Sequence, residues 1–224
     1  MPHYQVILFD FDGTLCATQA SIIYTFQKTF AQRGAPIPTE EAIIHGITSG
    51  VTLVEFLPFL YPPLLHVPPT ELQDWVQHYR NLYSQEGAAY TTLFPGAKAL
   101  LQQLRQQGLV CVVLSNKGQQ AIEEALAHFG LASNFDLVIG DNPALPLPKK
   151  PDPAAFLQVI QPRYPHVPPS GFLMVGDTQA DLAFAQNAGI DACWAAFGYG
   201  DVEACHLACP KFTIDELGQL LALV

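Results

Sequence analysis

The chain has 224 residues and a net charge of −10, from 10 Lys and Arg against 20 Asp and Glu. Half of its residues are hydrophobic and only 13% are charged, which supports a sizeable core and argues against wholesale disorder. The acidic balance also argues against general nucleic-acid binding, which needs cations to neutralise phosphates. A small anion remains open as a ligand, because a few local cations or a metal can reverse the sign inside a pocket.

The first predicted strand is Val6–Phe9, and it runs directly into Asp10-Phe11-Asp12-Gly13-Thr14-Leu15. Residues two apart on a strand share a face, so Asp10 and Asp12 can point into one site where the strand ends. Two carboxylates that close repel each other unless a cation or a shared proton compensates. Gly13 lets the backbone turn sharply behind them.

From about residue 18 to residue 92 no strand is predicted, only helical patterns cut by Pro and Gly. Residues 21–33 and 72–83 carry apolar side chains at helical spacing. A crossover needs one helix, so this segment predicts an α-helical cap (18–92) inserted into an α/β core formed by 1–17 and 93–224. Within it, Phe56, Phe59, Trp75 and Tyr79 are expected to be cap core rather than a substrate clamp, and Lys28 is expected to be structural. The Gly-flanked stretch 46–50 is the loop expected to come nearest a ligand, with a plain interhelical turn as the alternative.

Further predicted strands are 110–114, 137–139, 172–175 and 192–194, alternating with helices at 97–107, 119–129, 154–160, 180–188 and a last one near 215–223. Alternation of this kind predicts a Rossmann-like, three-layer α/β core with a parallel sheet. In such sheets ligands bind beyond the carboxyl ends of the strands. The polar residues there are Asp10 and Asp12, then Ser115, Asn116 and Lys117, then Lys149 and Lys150, then Asp177 and Asp181. Lys149 is expected to be a solvated loop charge, and Lys117 is open between phosphate approach and surface. Oxygen ligands for a hard divalent cation, a hydroxyl, a lysine and a carboxylate nucleophile together suit phosphoryl transfer.

No apolar stretch is long enough to span a bilayer, and Met1-Pro2-His3-Tyr4 lacks the basic region of a signal peptide. Five Cys at irregular spacing read as reduced thiols, so a cytoplasmic protein is expected. Cys205-His206-Leu207-Ala208-Cys209 offers soft ligands for zinc, but no second pair of matching spacing exists, and an apolar segment with thiols is the expectation.

Taken in order, Asp10-Phe11-Asp12-Gly13-Thr14-Leu15, Ser115 after Val112-Val113-Leu114, Lys150-Pro151-Asp152-Pro153 and Gly176-Asp177-Thr178-Gln179-Ala180-Asp181 resemble the four motifs of the haloacid dehalogenase superfamily of phosphatases. The cap position and Leu114-Ser115-Asn116-Lys117 look most like its phosphoglycolate phosphatase-like branch. That resemblance implies a Mg²⁺-dependent phosphatase acting on a small phosphorylated metabolite, with phosphoglycolate the first candidate. It implies Asp10 as nucleophile, Asp12 as acid/base, and Ser115, Asn116 and Lys150 as phosphate ligands. The metal set would be Asp10, Asp12 and Asp177, with Asp181 acting directly or through water or Lys150. Where many relatives have an acidic residue at the hinge toward the cap, this chain has Ala17. A sugar phosphomutase and a non-catalytic binding module are the alternatives, and a monomer and a homodimer are both open.

Overall fold

The computed structural model describes residues 4–49 and 51–224. Met1 to His3 and Gly50 lie outside the described residues, so the amino-terminal reading and the end of the 46–50 stretch go untested.

Six parallel strands form one sheet in the order β5-β4-β1-β6-β7-β8, where β1 is Val6–Phe9, β4 Val110–Gly118, β5 Leu137–Asp141, β6 Phe172–Gly176, β7 Asp191–Ala195 and β8 Phe212–Ile214. β1 reads as an unbroken apolar run because both of its faces are covered. Ile7 and Phe9 point into one core with Cys111, Val113, Leu173 and Val175, while Val6 and Leu8 point into the other with Val112, Leu114 and Met174. Helices α5 (Ala97–Gln106), α6 (Gln119–His128), α8 (Gln179–Ala188) and the short α9 (Val202–Leu207) complete the crossovers. The helix expected at 154–160 is a π-helical turn at Phe156–Ile160 that runs into α7 (Gln161–Arg163).

Between β1 and β4 lie α1 (Gln19–Gln32), α2 (Glu40–Thr48), α3 (Leu53–Leu60) and α4 (Pro69–Gln85). They close on their own core, in which Phe26, Phe30, Phe56, Trp75 and Tyr79 are buried. Phe59 departs from expectation: it is 53% exposed. Of the 46–50 stretch, Gly46, Ile47 and Thr48 form the last turn of α2 rather than a loop, and Ile47 lines the cavity between this segment and the sheet rim. Gly46 is needed there because a Cβ would sit 2.0 Å from the Phe56 ring. The edges of the segment are not strand-free: β2 (Cys16–Ala17) pairs antiparallel with β3 (Thr92–Leu93), so the outgoing and returning chains cross together.

Candidate active site

The sheet register levels the site. Phe9 pairs with both Val113 and Val175, so Asp10 comes level with Leu114 and Gly176, and Ser115 and Asp177 follow one position further on the two flanking strands. Asp10 continues the ladder by donating its N–H to the Val175 carbonyl at 2.9 Å. The chain then folds back on itself, with the N–H of Leu15 and of Cys16 both donating to Phe11 O. Gly13, at φ +76°, makes that turn.

Lys150 stands at the centre. Its Nζ donates to Asp10 Oδ1 at 2.7 Å, to Asp181 Oδ1 at 2.5 Å and to the Leu114 carbonyl at 3.0 Å, and all three side chains are buried. Burial disfavours its ammonium, but the two carboxylates outweigh that and raise its pKa above the usual lysine value. Asp10 is pushed up to about 6, chiefly by burial and secondly against the pull of Lys150. Asp177, also fully buried, is raised well above the ordinary carboxylate range by burial and by the charges of Asp10 and Asp181. Three acids around one lysine leave a deficit of positive charge.

The carboxylate oxygens of Asp10, Asp177 and Asp181 lie within 4.8 Å of one another. This all-oxygen set fits a hard divalent cation such as Mg²⁺, and added positive charge would relieve the burial that raises Asp10 and Asp177. The three acids are not equivalent. Asp181 Oδ1 is held by Lys150, and its Oδ2 accepts from Thr178 N and Oγ1 at 3.0 and 2.7 Å as the capping box of α8. Asp177 is oriented by Thr14 Oγ1 at 3.1 Å and by the Tyr199 N–H at 2.7 Å.

Asp177 also sits among glycines. A Cβ on Gly13 would lie 2.0 Å from its carboxylate, one on Gly198 2.2 Å from its Cβ, and one on Gly200 2.1 Å from its carbonyl oxygen. The Gly198-Tyr199-Gly200 loop follows β7 and was not among the sequence candidates. Extending the rim argument to that fifth strand would have found it. Tyr199 does a second thing: its phenol oxygen accepts from the N–H groups of Thr18 and Gln19, at 2.7 and 3.2 Å, where α1 begins.

Asp12 faces the cavity and pairs with Lys117, whose Nζ lies 3.0 Å from Oδ1 and 4.1 Å from the centre of the Tyr83 ring. Lys117 is thus neither a surface group nor a free phosphate ligand. The Asn116 side chain is engaged by the lysine loop: it accepts the Lys150 N–H at 2.9 Å and donates to the Lys150 carbonyl at 3.1 Å, so the phosphate contact expected at this position falls to its backbone amide. The side chain fixes the loop that carries Lys150. Ser115 Oγ accepts the Lys117 N–H at 3.3 Å, which leaves its hydroxyl proton to donate. Lys149, expected to be solvated, pairs with Asp141, which also pairs with Arg80 from α4. Lys28 pairs with Glu86. Cys205 is buried and Cys209 exposed; neither belongs to a group of three or more candidate metal ligands among the described residues.

The site opens into a cavity of about 870 Å³ between the sheet rim and the helical segment. No helix among the described residues is long and apolar enough to cross a membrane.

Residues 7–195 match the model of the haloacid dehalogenase-like hydrolase family. The phosphoglycolate phosphatase of Vibrio parahaemolyticus is 28% identical across 98% of this chain and 96% of its own. The tyrosine-protein kinase PtkA of Mycobacterium tuberculosis is likewise 28% identical, across 98% of this chain and 73% of its own. Among solved structures, a haloacid dehalogenase-like family hydrolase from Streptococcus pneumoniae superposes with a TM-score of 0.80 at 22% identity, covering 98% of this chain and 97% of that one.

Proposed function

We propose, from the premise that this chain belongs to the haloacid dehalogenase-like hydrolase family, that it is a Mg²⁺-dependent phosphatase of small organic phosphate monoesters. Relatives of equal identity carry different reactions, so the choice rests on the site. The observation that carries it is the buried Asp10–Lys150–Asp181 group beside Asp177, with Asp12 and Ser115 next to it on one rim.

In this proposal the Asp10 carboxylate attacks phosphorus, and the bond from phosphorus to the substrate alcohol breaks to leave an aspartyl-phosphate. Asp12 donates the proton that the leaving oxygen needs. It then takes one from the water that attacks phosphorus and returns Asp10 to its carboxylate. Lys117 keeps Asp12 oriented toward the cavity. The Ser115 hydroxyl and the Lys150 ammonium hold phosphoryl oxygens, and Asn116 fixes Lys150 in place. Mg²⁺, held by the Asp10 and Asp177 carboxylates and the Asp12 carbonyl, would screen the repulsion between Asp10 and the phosphate dianion. Asp181 fits a role through Lys150, because its Oδ1 accepts from the Lys150 ammonium and its Oδ2 from two Thr178 donors, whereas Asp177 accepts one neutral donor on each oxygen and meets no cation among the described residues. The segment 18–92 acts as the cap that excludes water and chooses the substrate. Phosphoglycolate, the substrate in the Vibrio relative's name, is the reference compound to assay.

Removing divalent metal with a chelator should abolish phosphate release, and Mg²⁺ should restore it; activity undiminished by the chelator would overturn the proposal. A pH dependence accompanies this. A folded-state pKa of about 6 for Asp10, against about 4 unfolded, gives a contribution to stability that is present below pH 4 and lost as pH rises through 6. The metal replaces that proton, so the melting shift produced by Mg²⁺ should grow between pH 5 and pH 7. A shift independent of pH would remove Asp10 from the metal site.

Gly198→Ala should lower phosphate release by about 10²-fold, the cost of misplacing a catalytic group by about 1 Å. The added methyl has no room beside Asp177. Steady-state kinetics with a melting curve checks this, and wild-type turnover in a folded variant would mean that the loop yields freely.

A further inference from the structure

The cavity is far larger than a two-carbon acid phosphate, and its walls differ sharply in chemistry. One wall is aromatic. Phe56, Phe26, Tyr79 and Tyr83 all line it, with ring centres 4.5 Å apart from Phe56 to Phe26, 4.6 Å from Phe26 to Tyr79 and 6.3 Å from Tyr79 to Tyr83. This row starts at the chemistry, because the Tyr83 ring lies under the Lys117 ammonium that pairs with Asp12. Ile22 and Leu53 extend the apolar surface.

The charges tell against a second anion. Among the described residues lining the cavity, the cations are Arg80, Lys117 and Lys150, and each is already paired: with Asp141, with Asp12, and with Asp10 and Asp181. Glu123 adds a further acid to the lining. A phosphate would engage Lys150 and the metal. A carboxylate or second phosphate elsewhere on the substrate would have to displace Asp12 or Asp141 from its partner, whereas a neutral ring can lie against the aromatic and aliphatic part of the lining without breaking an ion pair.

We infer that the preferred substrates are monophosphates of uncharged alcohols carrying an aromatic ring, with the ring seated along the Phe56–Phe26–Tyr79–Tyr83 wall. This rests on the phosphatase reading for its chemistry, though not for the binding preference.

The test compares 2-phenylethyl phosphate with phosphoglycolate, two alkyl esters that differ in ring against carboxylate. With Mg²⁺, kcat/KM for the phenylethyl ester should be at least about tenfold higher, a difference within reach of ring contacts and apolar burial. Phe56→Leu, which keeps an apolar side chain in the cap core, should lower the ratio of the two values about fivefold, mainly through KM of the phenylethyl ester. Binding of both esters to the Asp10→Asn protein, measured by calorimetry, should keep the same order. Hydrolysis that favours phosphoglycolate, or equal binding of the two, would overturn the aromatic class and leave the phosphatase standing. Ordered binding with no hydrolysis of either ester would support the class and overturn the phosphatase.

Discussion

Asp10→Asn should reduce phosphate release by a factor on the order of 10⁴–10⁶, the range seen when a covalent nucleophile is removed. The substitution keeps the shape and the amide oxygen of the side chain but not the charged nucleophile. Because Asp10 Oδ1 is held by Lys150 at 2.7 Å and the residue is buried, Asn can occupy the same place without disturbing the sheet. It also removes one of the two neighbouring charges that raise the pKa of Asp177, so the melting temperature should change far less than the rate. The decisive measurement is single-turnover phosphate release from a preparation freed of contaminating phosphatases. Retained turnover in that preparation would sink the covalent mechanism.

Lys150→Met should damage both stability and rate. It leaves Asp10, Asp177 and Asp181 buried around a site with no lysine, and removing one partner of a buried ion pair costs about 3–5 kcal/mol. For a chain of this size that corresponds to a fall in melting temperature of roughly 6–20 °C. The sign of its pH dependence follows from the carboxylates. Without Lys150 the folded-state pKa of Asp10 moves further up, so the stability of the variant falls as pH rises through that value. The deficit should therefore be smaller at pH 5 than at pH 8, and Mg²⁺ should recover part of it. Turnover should fall about 10²–10³-fold, as for the loss of a preorganised electrostatic contact. Thermal melts at the two pH values would decide this. An equal deficit at both would mean that the acids do not depend on Lys150.

Much of this architecture was legible because its signals are local. The apolar run Val6–Phe9 followed by two acids, and the second apolar run followed by Ser115, place strand and site residue within a few positions of each other. What escaped depends on distant partners. Nothing near Lys117 announces that Asp12 will meet it, and nothing near Lys149 announces Asp141 with Arg80 beyond it. Short elements escaped too: β8 has three residues, α9 has six, and the expected last helix is a 3₁₀ turn at Leu217–Ala222. At that length periodicity carries little information. Phe59 shows the same limit, since helical spacing places it on a face but does not say which neighbour covers that face. Phe56 and Tyr79 lie in the cap core, as helical spacing suggested, and they also line the cavity, which spacing alone does not reveal.

The central position of β1 has a consequence for how the chain is made. Val6 pairs with Val110 on one side and with Phe172 on the other. The earliest strand of this sheet is therefore joined on its second edge only after more than 150 further residues have been translated, roughly 10–30 s later at ordinary speeds of synthesis. Until then a wholly apolar strand has an open edge, the state most prone to wrong pairing. Asp10 waits with it, because Lys150 and Asp177 are translated late as well. The helical segment 18–92 is complete long before and can close on its own aromatic core. The helical wall of the cavity can thus be folded while the sheet rim that carries the acids is still being assembled.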